Sequence, residues 1–191
     1  MSKFYKELDG KLQEFIAKQK IFFVGTAAPE GRVNVSPKGL DSLRILNAKQ
    51  LIWLNLTGSG NETAAHVLEQ ARMTLMFCSF EGKPLILRVY GKARAIHARD
   101  EEWAEWSALF TEYPGTRQIF LLDVDSAQTS CGFAVPNYQY QEVRGELIHW
   151  TEKIGDEGVK EYWKKKTRPA STANRPKFYN ELTPNRPSKY L

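Results

Sequence analysis

The feature that most limits the folds open to this chain is a succession of short β-branched and aromatic runs, each closed by a turn signal. Residues 21–26 form one such run; Ala28-Pro29-Glu30-Gly31 follows as a turn, and Arg32-Val33-Asn34-Val35-Ser36 then alternates polar with apolar side chains. That is the pattern of a β-hairpin. Residues 51–56 and 73–80 are two further runs, 85–96 follows the turn Glu81-Gly82-Lys83-Pro84, and 118–124, 129–135 and 138–143 complete the set. About six to seven strands with few helices between them predict a mainly β (α+β) domain. Its mostly antiparallel sheet closes most simply into a barrel with flanking helices.

Helical spacing is confined to a few places. Phe4, Leu8, Leu12, Phe15 and Ile16 recur among lysines and glutamates, which predicts an amphipathic surface helix over 3–19, slightly weakened by Gly10. A second helix is expected over 99–110, where Trp103 and Trp106 stand three apart as a packing pair. A third follows the Gly-containing stretch after residue 56. Residues 1–165 have the length for one domain with a full core, and 166–191 form a basic, proline-rich C-terminal tail with neither helical nor strand period.

Charge and cysteine usage exclude several classes. The net charge of +5 is unevenly placed: 164–191 carries eight Lys or Arg against one acid, while 1–163 holds 19 basic and 21 acidic residues. Phe178, Tyr179 and Tyr190 lie among those basic residues, which raises nucleic-acid binding as a reading of the tail. No recognition fold accompanies them, so a solvated or dimer-clasping tail is the expectation. No stretch reaches the roughly 20 apolar residues that cross a bilayer, and residues 1–20 have no unbroken apolar run, so a cytoplasmic location without membrane contact is expected. Cys78 and Cys131, 53 positions apart, read as two buried free thiols, and His66, His97 and His149 are too scattered for a helical metal site. No metal is expected.

The stretch Thr57-Gly58-Ser59-Gly60-Asn61-Glu62-Thr63 is the most informative in the chain. Its glycines allow a sharp turn, Ser59 and Glu62 have capping-box spacing, and a helix N-terminus with exposed amides accepts anions. Hydroxyl and amide side chains at Thr57, Ser59, Asn61 and Thr63 suit a phosphate monoester. The same residues also serve a plain strand-to-helix connection, with Ser59 as no more than a cap.

Four segments break that tie. Arg32-Val33-Asn34-Val35-Ser36-Pro37-Lys38-Gly39, Asn55-Leu56-Thr57-Gly58-Ser59-Gly60-Asn61-Glu62-Thr63, Leu87-Arg88-Val89-Tyr90-Gly91 and Ser130-Cys131-Gly132-Phe133-Ala134-Val135-Pro136 resemble the pyridoxamine 5′-phosphate oxidase-related family of FMN-binding split barrels, over roughly residues 10–165. The resemblance implies FMN as cofactor, a homodimer with FMN between two barrels, and an oxidoreductase acting on a small molecule. It implies that Ser36 and Lys38 face the flavin ring, that Thr57 and Gly58 lie along it, and that the phosphate falls at Ser59, Gly60, Asn61, Glu62 and Thr63. Lys38 would stabilise negative charge at the pyrimidine end of the ring. Cys131, Gly132 and Phe133, with Trp103 and Trp106, would contribute from the partner side.

Two departures from the family pattern matter. Asn61, Glu62 and Thr63 stand where the vitamin-making oxidases carry adjacent basic residues, so the positive charge is expected from Arg88, Lys38 or Arg72, in that order, with Glu62 folded back onto the helix start. The C-terminal Arg and His pair that holds pyridoxamine phosphate is absent, and Glu161-Tyr162-Trp163-Lys164 stands there instead. That leaves the substrate open and admits a non-catalytic flavin- or haem-binding sensor as the alternative. Glu62 also disfavours a deazaflavin, and no catalytic side chain is singled out.

Overall fold

The computed structural model describes residues 2–166, and the tail expected from 166 onward lies, past Lys166, outside the described residues. In chain order the elements are β1 (Lys3–Tyr5), α1 (Gly10–Lys18), β2 (Phe22–Thr26), β3 (Asn34–Lys38), β4 (Leu43–Asn47) and β5 (Gln50–Leu56). They continue as α2 (Glu62–Glu69), β6 (Arg72–Cys78), β7 (Ile86–Ile96), α3 (Trp103–Ser107), β8 (Thr116–Ser130) and α4 (Glu146–Lys166). The strands make one antiparallel sheet in the order β3-β2-β6-β7-β8-β5-β4, with β1 added to β8. β3 and β4 stand at the two ends of that path, and the four residues 39–42 carry the chain from one end to the other. This is a split β-barrel. The crossing is pinned where the Leu54 amide donates to Ser42 O (2.8 Å) and the Ser42 hydroxyl donates to Gly39 O (2.6 Å).

Two cores lie on opposite faces of β5 and β8. The barrel interior holds Phe22, Val24, Leu51, Trp53, Leu75, Phe77, Leu87 and Phe120, with Trp53 stacked on Phe120 at 4.6 Å. The other face buries Ile52, Leu54, Ile96, Phe110, Ile119 and Leu121 beneath Trp103 and Trp106. Packing on both faces is why 51–54 reads Leu-Ile-Trp-Leu without alternation. Trp103 and Trp106 are therefore the packing pair their spacing predicts.

The structure departs from the sequence expectations in five places. The helix predicted over 3–19 is a short strand followed by a helix that starts at Gly10, because Asp9 Oδ1 accepts the Leu12 amide at 2.9 Å and caps it. Leu8, Leu12 and Ile16 do share a buried stripe, whereas Phe4 lies on β1 and is 68% exposed. The helix over 99–110 shrinks to α3. Strands expected at 129–135 and 138–143 are replaced by the end of the 15-residue β8 and an irregular strap at 131–145. Gly132 ends the strand: its φ is +66°, and an added Cβ would sit 3.0 Å from the Leu85 amide nitrogen. The strap then runs along the 79–85 turn, with the Tyr138 amide donating to Phe80 O at 2.8 Å.

Finally, β4 and α4 have no counterpart in the predicted elements. α4 is interrupted at Gly155 (φ 64°, ψ 175°) and buries only Thr151 and Val159. Its apolar stripe is too sparse to stand out as a period.

Candidate functional site

β3 lays Asn34, Ser36 and Lys38 on the inward face, because they pair in register with the buried Thr26, Val24 and Phe22. Asn34 Nδ2 donates to Thr63 Oγ1 at 3.1 Å, which ties the strand to the first turn of α2. Lys38 Nζ reaches over the Trp53 ring, 5.4 Å from its centroid, to within 3.5 Å of Asn55 Oδ1. Burial pulls the Lys38 ammonium below the usual lysine range, and the Glu62 carboxylate partly opposes that shift. Among the described residues, Ser36 Oγ and Trp53 Nε1 are both buried here without a hydrogen-bond partner. Two orphaned polar atoms at one end of a barrel are unusual enough to mark a place where a polar ligand fits.

β5 runs into this region and turns at 57–61 to start α2. The Ser59 and Glu62 capping box does not form: Asn61 occupies the cap position and makes no side-chain bond to the helix amides. Its amide instead pairs with the buried Gln118, which donates to Asn61 Oδ1 at 2.7 Å. The Glu62 carboxylate does fold back, onto Gly60, where it fills the space that an added Cβ would take. Gly58 and Ser59 face solvent, while Thr57 and Thr63 are buried. His66 is fully buried one turn along α2, with Nδ1 3.2 Å from Thr26 Oγ1.

A cation the sequence reading passed over completes the cluster. Arg117, near the start of β8, sends Nη1 to within 3.4 Å of Gly60 O and lays its guanidinium over the Trp163 ring at 5.2 Å. Burial lowers its proton affinity and Glu62 raises it, as at Lys38. The Glu62 carboxylate thus acts on both cations. The Trp163 indole donates to Thr57 Oγ1 at 3.0 Å, and that hydroxyl donates to Gly115 O at 2.7 Å. Thr57 therefore has its hydroxyl engaged inside the protein rather than toward a ligand.

The structure brings together Ser36, Lys38, Thr57, Gly58, Ser59, Gly60, Asn61, Glu62 and Thr63 at one end of the barrel. Arg88 does not join them within the chain. The register row Pro37, Phe23, Met76, Arg88 puts it on the sheet face opposite Ser36 and Lys38, where Nη1 donates to Ser130 Oγ at 3.3 Å. Arg72 is exposed, bonded to Gln70, and follows the far end of the eight-residue α2. Cys131, Gly132 and Phe133 lie past the Arg88 row at the end of β8. Cys78 is buried as expected, but Cys131 is exposed, because the Gly132 turn takes it off the sheet. Arg117 was recoverable in principle: it immediately precedes the apolar run that pairs with β5, so the strand order decides which end it reaches.

Among the described residues no helix is long and apolar enough to cross a membrane. Residues 8–131 match the pyridoxamine 5′-phosphate oxidase family. The chain is 38% identical over 138 residues to a protein of Aspergillus flavus described as pyridoxamine 5′-phosphate oxidase family protein ustO, covering 70% of this chain and 55% of that one. The chain thus spans about half the length of that curated relative. Its fold is similar to the crystal structure of a HupZ variant from Group A Streptococcus (TM-score 0.53, 18% identity, 64% of this chain and 99% of that one). It is also similar to a Lactobacillus delbrueckii protein provisionally described as a pyridoxamine 5′-phosphate oxidase (TM-score 0.52, 19% identity, 64% and 94%). With its split barrel, its family match across the sheet and the β5–α2 turn within that match, this chain belongs to the pyridoxamine 5′-phosphate oxidase family.

Proposed function

We propose that the barrel end formed by β3, the β5–α2 turn and Arg117 binds the phosphate and ring of FMN, and that the protein is an FMN-dependent oxidoreductase acting on a small molecule. The observation that carries the reading is the convergence of two cations on the turn. Lys38 reaches Asn55 Oδ1 and Arg117 reaches Gly60 O, and Asn61, the cap residue of α2, makes no side-chain bond to its first amides. Ser36 Oγ, buried without a partner among the described residues, is a hydroxyl that a bound polar ring would satisfy. FMN, when bound, supplies the hydride or electron chemistry. Ser36 and Lys38 would orient the ring and favour negative charge on it, while Ser59 and Arg117 would hold the phosphate.

The second part of the proposal is a homodimer through the outward face of the sheet. Val33 just before β3, Val35 on it, Phe4 on β1 and Phe133 in the strap are 61 to 82% exposed. They flank the row of Phe23, Met76 and Arg88. A second copy seated there would bring Arg88 and residues 131–133 toward a partner's flavin.

Absorbance and flavin-fluorescence titration of the wild type against Lys38→Ala and Arg117→Ala tests the site. Saturable, stoichiometric FMN binding, weakened about tenfold or more by each substitution, is the expected outcome. No binding by the wild type would sink the reading. Reduction of the bound flavin by a nicotinamide donor then separates turnover from storage, and sedimentation velocity reads the dimer.

A further inference from the structure

We propose that Trp163 is a positioning residue for the β5–α2 turn, so that ligand affinity at this turn depends on a helix lying beyond the family-matched residues 8–131. The inference rests on the reading of that turn as the anion-binding element. Trp163 reaches both ends of the turn at once. At the near end its Nε1–H donates to Thr57 Oγ1 at 3.0 Å, and Thr57 is locked in turn by its hydroxyl and its amide, both donating to Gly115 O at 2.7 and 2.9 Å. At the far end its ring lies under the Arg117 guanidinium, which extends to Gly60 O.

α4 is seated for this role. Thr151, 1% exposed, packs so closely on Gly115 that a Cβ there would fall 2.6 Å from its methyl. Gly58 and Ser59, between the two anchors, remain exposed. A ligand can therefore reach the turn while α4 braces its ends. Holding the turn before binding removes the ordering cost that binding would otherwise carry, which is the physical basis for higher affinity.

The test combines hydrogen exchange with FMN titration on the full chain. Trp163→Phe keeps a ring face for Arg117 and loses the N–H donor; Thr57→Val loses the acceptor; Thr57→Ser keeps it. Circular dichroism first establishes that each variant folds. In Trp163→Phe and Thr57→Val the amides of 58–62 should exchange faster without ligand, and FMN affinity should fall about tenfold. The double variant should be no weaker than either single one, and Thr57→Ser should behave as wild type. A purely structural role for Trp163 would lower the unfolding midpoint without moving the local exchange, and that result overturns the proposal. So does faster exchange in 58–62 with unchanged FMN affinity. If the wild type binds no FMN, the flavin reading fails, and the exchange of 58–62 still decides the brace by itself.

Discussion

Gly115→Ala should be among the most damaging small substitutions in the chain, for two separable reasons. Residue 115 has φ +77°, where a side-chain-bearing residue costs about 1 to 2 kcal/mol. The new Cβ would also lie 2.6 Å from Thr151 Cγ2, 3.1 Å from Thr57 Oγ1 and 3.3 Å from Thr151 Cβ, so α4 or the β5 end must shift. Overpacking of this kind costs about 1 to 3 kcal/mol, which brings the total to about 2 to 5 kcal/mol. Urea unfolding followed by circular dichroism would read it as a lower midpoint with an unchanged slope. Thr151→Ser removes the offending methyl and keeps the hydroxyl that donates to Leu147 O and Ile148 O at 2.9 Å. Added to Gly115→Ala, it should make the pair more stable than the sum of the single effects by about 1 to 2 kcal/mol. A single variant within about 0.5 kcal/mol of wild type, or strict additivity in the double variant, would refute the claim that α4 is packed against Gly115.

Further predictions concern three other groups. Cys131 is exposed and its thiol is drawn below the usual value of 9.0, chiefly by the Phe133 amide, whereas burial pushes the Cys78 thiol up. One thiol per folded chain should therefore react with a maleimide near neutral pH, the second only after unfolding, and Cys131→Ser should abolish the first reaction. Lys38 binds its proton less tightly in the folded state than an ordinary lysine at 10.5. The unfolded chain then holds more protons between those two values, so stability should rise with pH as that window is crossed and lose the rise in Lys38→Met; a flat wild-type profile in urea titrations would contradict this. Gln118→Ala leaves Asn61 without its buried partner and should cost about 1 to 3 kcal/mol, with faster amide exchange at the start of α2.

What could be read from the chain, and what could not, follows from the range of each interaction. The hairpin at β2 and β3, the strands β5 to β7 and the turn at 57–63 carry local signals: β-branched runs, Gly and Pro at the breaks, and small polar residues before a helix. Residues 131–145 misled for a local reason as well. Val135, Tyr138, Tyr140 and Val143 look like strand residues, but Gly132 has already turned the chain away and left most of them exposed. α4 was hidden because its contacts are few and distant: Thr151 against Gly115 and Trp163 on Thr57 span 36 and 106 positions. No window of sequence contains both sides of either contact.

The same division runs through the candidate site. Ser36, Lys38 and the 57–63 turn were assigned from their own segments and their resemblance to a known family, since strand alternation and helix starts are written in adjacent residues. Of the two cations at the turn, Lys38 was named in this way and Arg117 was not. Arg88 and Arg117 both sit on strands of this sheet, and nothing local distinguishes them. Only the strand order, which pairs Arg88 with Met76 and carries Arg117 beside Gly60, sends one to the outer sheet face and the other to the turn. Short-range stereochemistry thus determined the elements and the family, while the sheet register and the docking of α4, both products of long-range packing, decided which charges meet at the site.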